Sequence, residues 1–188
     1  MKGRYNLITK EILLTIALTG VVIIASTSPY FWINITRAII KNKKYIKNKI
    51  DERRIVRSLM RLRTNRFIIV EEKRDGKLIV QLTEKGKRKT EEINIERLEI
   101  KKQDIWDKKW RIIAFDIPDK KKRARDALRQ KLKELDFYQL QKSVFVCPYP
   151  CEKEIQFLCE FFDINYCVNI IMADNIYNDT KLRKHFNF

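Results

Sequence analysis

The chain has 188 residues, room for one large domain or two small ones, and carries 41 lysines and arginines against 24 acids, a formal net charge of +17. Such a surplus repels itself in a compact state and calls for a polyanionic partner, either nucleic acid or an anionic membrane surface. With 45% apolar residues a packed core is available, and only 4 Gly and 4 Pro argue against long disordered linkers. The charge is uneven: residues 1–104 hold 25 of the basic residues and 12 of the acids, so the basic surface belongs mainly to the N-terminal part.

The first predicted element is a helix from Leu7 to Ala25. The stretch Ile12–Ala25 is nearly all apolar, and the uncharged run Ile12–Thr36 is long enough to cross a bilayer, with Lys2, Arg4 and Lys10 ahead of it as in a signal anchor. Thr15, Thr19, Gly20 and the cluster Ser26-Thr27-Ser28-Pro29 weigh against a span. They break the run into two helices, Ser28 serving as N-cap and Pro29 as the first helical residue. The reading adopted is a buried core helix and a cytoplasmic protein; a membrane anchor through Ile12–Thr36 is the alternative.

A second helix is expected from Pro29 to about Lys43, with Phe31, Ile35 and Ile39 on one face, and the Lys- and Asn-rich stretch 41–49 as a turn. A third starts near Asp51 and continues to about Asn65. Two β-prone runs follow, 67–70 and 78–82, joined through Lys73-Arg74-Asp75-Gly76, where Asp-Gly is a strong hairpin signal. Another helix then runs from Thr83 to about Ile93. Three helices followed by a hairpin is the order of a winged helix-turn-helix, assigned to residues 1–93.

The third helix carries the sharpest chemical signal. Arg53, Arg57 and Arg61 lie at i, i+4, i+8 and form one stripe, while Ile55, Leu59 and Leu62 form the opposite face. A helix with an apolar back and an arginine front seats on a core while facing phosphates or base edges. The hairpin tip adds Lys73, Arg74 and Lys77, placed where a wing touches phosphates. The alternative is a solvated basic face without a specific partner.

Residues 94–109 read as a charged linker into a second domain, 110–188. It begins with a strand over 110–115, followed by a helix at about 120–135, with Asp119 available as its N-cap. A hairpin or bent strand over 138–147, a helix over 152–162 and a strand over 167–173 complete a βαββαβ order, which is ferredoxin-like. The fold class is therefore α+β. Cys147, Cys151, Cys159 and Cys167 lack the tight C-x-x-C pairing of zinc ligands, so they read as buried reduced thiols. Phe157, Phe161 and Phe162 read as core or interface. The basic cluster of Lys120, Lys121, Lys122, Arg123 and Arg125 is either a nucleic-acid backbone contact or a solvated face.

Two segments carry a family resemblance. Leu82-Thr83-Glu84-Lys85-Gly86 looks like the wing-to-helix junction of bacterial winged-helix regulators, with Thr83 as cap. The segment from Trp110 through Asp116, Pro118 and Asp119, followed by Gln141-Lys142-Ser143-Val144-Phe145, resembles the small CRISPR-associated endonucleases of the Cas-two family. It resembles still more closely the central domain of PaaX-like transcriptional repressors, the phenylacetate-catabolism regulators. That resemblance implies a winged helix ahead of a ferredoxin-like domain, pairing as a homodimer through residues 110–175, and regulation of transcription on double-stranded DNA without a cofactor. The nuclease relatives imply an alternative: Asp116, one per protomer, would share Mg²⁺ for phosphodiester hydrolysis. The larger PaaX repressors carry a further C-terminal domain that binds the effector; this sequence ends at Phe188, so acyl-CoA recognition is not carried over.

Overall fold

The structure, a computed structural model, describes residues 7–20, 22–25, 52–74 and 77–188. The chain divides into two compact units, Met1–Glu96 and Arg97–Phe188. Both combine helices with an antiparallel sheet, as the α+β class requires.

In the first unit the apolar N-terminal stretch splits into two elements. Helix α1 spans Leu7–Thr19 and strand β1 spans Val22–Ala25, so the helix predicted to Ala25 stops six residues early. The hydroxyls of Thr15 and Thr19 bond back to the carbonyls of Glu11 and Thr15, and Gly20 follows with a φ of 70°, the left-handed conformation of a helix C-terminus. Beyond it Val22, Ile23 and Ile24 are β-branched, residues that pack better on a pleated surface than in a helix. Among the described residues no helix is long and apolar enough to cross a membrane. The expected second helix, Pro29 to Lys43, lies outside the described residues.

Helix α2 covers Glu52–Thr64, strands β2 and β3 cover Ile68–Glu72 and Lys77–Leu82, and helix α3 covers Glu84–Glu96. The sheet runs in the order β1-β3-β2, with Val22 opposite Val80 and Val70 opposite Val80 on the other side. Its core gathers Ile12, Leu13 and Ile16 of α1, Ile55, Leu59 and Leu62 of α2, and Phe67, Ile68, Val80 and Ile93. Lys10 and Glu96 pair across α1 and α3.

The second unit is a four-stranded antiparallel sheet in the order β5-β6-β4-β7: Trp110–Phe115 is β4, Tyr138–Gln141 β5, Val144–Cys147 β6 and Val168–Ala173 β7. Helix α4 (Lys122–Glu134) follows β4 and helix α5 (Glu152–Phe162) follows β6. Alternation along β4 divides its side chains between two faces. Ile113 and Phe115 are buried on the face that Arg129 of α4 reaches, its guanidinium 5.7 Å from the Phe115 ring. Trp110 faces the other way and is covered by a short C-terminal helix, α6 (Thr180–Phe186), through Leu182 and Phe186. The sequence pattern does not announce α6, because it is only seven residues long.

The expected linker is partly structured. Helix α3 runs on to Glu96 rather than ending at Ile93, and Trp106 to Lys109 are tied into the second unit. Trp106 Nε1 donates to the Lys109 carbonyl, and its ring stacks on Phe188 with centroids 4.7 Å apart.

Candidate nucleic-acid interface

Helix α2 forms by packing rather than by its charges. Ile55, Leu59 and Leu62 are fully buried, worth about 1.5–3 kcal/mol each. No acid follows Glu52 within the helix, so Arg53, Arg57 and Arg61 meet only like charge at i+4, at a cost of a few tenths of a kcal/mol per pair. Burial wins by several kcal/mol. All three arginines lie on the exposed side of the helix, with Arg54 and Arg63. The Arg57 Nε donates to the Arg53 carbonyl at 3.2 Å, which steadies its side chain along the helix.

The hairpin after α2 is pinned at its open end. Thr83 accepts from the Gly86 amide at 3.0 Å, the helix-capping bond expected of it, and donates to the Arg66 carbonyl at 2.7 Å. Its own amide bonds to the Phe67 carbonyl at 3.0 Å. Lys85 donates to the Asn65 carbonyl at 3.0 Å and sits 4.8 Å from the centre of the Phe67 ring. At Gly86 a Cβ would lie 2.0 Å from the Phe67 carbonyl oxygen, so only glycine lets α3 approach the backbone just ahead of β2 this closely. At the tip Lys73, Arg74 and Lys77 are exposed, and the Lys73 amide closes the hairpin on the Lys77 carbonyl at 2.7 Å. Asp75 and Gly76 lie outside the described residues.

In the second unit Asp116 is exposed just after β4, its amide bonded to the Cys167 carbonyl at 2.9 Å. Among the described residues no group of three His, Cys, Asp or Glu side chains comes together to hold a metal. A hard divalent cation takes six or more oxygen ligands, so Asp116 of one chain does not make a Mg²⁺ site by itself. Asp119 is not the expected helix cap: it opens a short 3₁₀ turn, Asp119–Lys121, and pairs with Arg125 at 2.9 Å. The nearby basic cluster is divided. Arg125 is bound to Asp119 and the Ile117 carbonyl, and Lys121 to Asp163 at 2.6 Å, whereas Lys120, Lys122 and Arg123 are exposed.

The four cysteines are buried and unbridged. Burial pushes the Cys159 thiol up to about 11, and a hydrogen bond with Cys147 together with burial pushes Cys151 up, so both stay neutral thiols at pH 7. Arg111 is a buried cation that the sequence reading does not single out. It forms a two-pronged pair with Asp107, at 2.8 and 2.6 Å, and donates to the Pro148 carbonyl at 2.9 Å. Glu152 lies 3.6 Å from its Nε. Position 111 on a buried strand, four residues after an acid, is the signal that could find it.

Comparison with known families matches residues 103–184 to the PaaX protein central Cas2-like domain. No curated protein matches the chain. The matched range begins before β4 and ends within α6, so it takes in Trp106, Asp107 and all four strands of the second sheet. Residues 103–184 are thus similar to the central Cas2-like domain of PaaX proteins.

Proposed function

We propose that the protein is a DNA-binding transcriptional regulator of PaaX type, acting as a cytoplasmic homodimer on double-stranded DNA. The observation that carries this reading is helix α2, whose apolar back is buried in the first core while Arg53, Arg57 and Arg61 stand exposed. On this reading the first unit is a winged helix: helix, strand, helix and hairpin with the sheet order β1-β3-β2 support it. The second is ferredoxin-like, supported by the strand order β5-β6-β4-β7 with helices after its first and third strands. The three arginines enter the groove, Lys73, Arg74 and Lys77 contact flanking phosphates, and the second units pair so that two recognition helices meet a two-fold operator.

No catalytic step belongs to this reading. Hydrolysis would need a partner protomer to bring a second Asp116 beside the first. The discriminating experiment is duplex binding and cleavage in Mg²⁺ by wild type and Asp116→Asn. A regulator leaves the DNA intact and keeps its affinity in the variant; cleavage that the substitution abolishes would make the protein a nuclease.

A further inference from the structure

Beside the arginine stripe lies an open groove of about 530 Å³, walled by Leu7, Ile8 and Thr9 of α1 and by Arg54, Arg57, Ser58 and Arg61 of α2. The spacing explains it. Arg54, Arg57 and Arg61 stand at i, i+3 and i+7, on the side of α2 that turns toward α1, whereas Arg53 shares only the outer stripe. Among the described residues that line the groove none is acidic. Thr9 and Ser58 are buried in its floor, and Leu7 and Ile8 add an apolar wall.

We infer that this groove seats the sugar-phosphate backbone of one DNA strand, with Arg54 as the residue devoted to it; the inference rests on the DNA-binding reading above. A guanidinium offers a planar fork of donors that matches two phosphate oxygens, and three of them round one groove concentrate positive potential there. The groove is open to solvent rather than closed round a small molecule. Its apolar wall suits the deoxyribose between phosphates. Arg57 and Arg61 belong to both surfaces, so a phosphate held here fixes how the outer stripe, Arg53 included, enters the adjacent base groove. Arg54 thus sets register and contributes sequence-independent affinity, whereas Arg53 reads bases.

The test is a binding titration of the full chain against a panel of unrelated duplexes over a range of KCl, with wild type, Arg54→Ala and Arg54→Lys. In Arg54→Ala the slope of log affinity against log salt is expected to fall by about one, with the same fold loss on every duplex. Arg54→Lys keeps the charge and most of the slope. An unchanged slope in Arg54→Ala while the wild type binds overturns the groove assignment and leaves the regulatory reading standing. A loss confined to one duplex also overturns it, because that is base reading. Failure of the wild type to bind any duplex removes the regulatory reading, and this inference with it.

Discussion

At the scale of single residues, the junction Leu82-Thr83-Glu84-Lys85-Gly86 shows how a short motif does several jobs. Thr83 caps α3, Lys85 ties back to Asn65 and Phe67, and Gly86 makes room for the Phe67 carbonyl. An alanine at position 86 gains about 0.5–1 kcal/mol of helix propensity but drives its Cβ against backbone that cannot turn aside. Overpacking of this kind costs about 1–3 kcal/mol, so Gly86→Ala should lower the denaturation midpoint of the first unit; a midpoint at or above wild type would contradict the packing described. In the second unit the hydrogen-bonded Arg111 guanidinium holds the Asp107 carboxyl below the ordinary carboxylate range. A group whose folded pKa is depressed contributes stability above its unfolded value and loses it as pH falls through the folded one. Acid should therefore weaken the second unit as Asp107 protonates. Asp107→Asn should be less stable at neutral pH and show a shallower acid limb in urea melts taken across that range. The Thr83 cap is legible because its partner amide, Gly86, lies three residues on. The ties of Lys85 to Asn65 and of Gly86 to Phe67 span about twenty residues and show only in the fold, as does the Asp107–Arg111 pair, which sequence reading does not single out.

At the scale of elements, legibility depends on where the partner strand lies. The helices α2, α4 and α5 and the hairpin β2–β3 follow from periodicity and turn chemistry, with bounds within a few residues. Strand β1 does not, because an apolar run read alone continues a helix, and its partner β3 is 58 positions away at Val22 and Val80. Helix α6 escapes for a similar reason: it is short, and its role of covering Trp110 shows only once the sheet exists. The described elements make a clean contrast available within α2. Leu59→Ala removes a fully buried side chain and should cost about 2–5 kcal/mol in unfolding. Arg57→Ala lies on the exposed face and should leave stability within about 0.5 kcal/mol while weakening DNA binding. Equal effects of the two on stability would refute the assignment of a core face and a partner face. Thr83→Ala should cost about 1 kcal/mol through the lost cap.

At the scale of the whole molecule, charge and architecture point the same way. The basic excess is concentrated in the sequence that forms the first unit, while the second holds a well-packed sheet and a buried Arg111 pair. On the proposed reading the first unit meets DNA and the second pairs protomers. The family match to residues 103–184 agrees with the resemblance carried by the strand at 110–115 and the segment 141–145. Whether Asp116 acts is not legible from the sequence, since a site shared between protomers leaves one carboxylate per chain to be seen.

The most direct test of the central claim is equilibrium binding of the full-length chain to duplex DNA across a range of salt, beside the Arg57→Ala/Arg61→Ala variant. The account predicts tight binding at low salt, with log affinity falling linearly and steeply as log salt rises. The double variant should bind far more weakly, with a reduced slope and an unchanged unfolding midpoint. Binding absent at low salt, or affinity that survives loss of both arginines, would contradict the account.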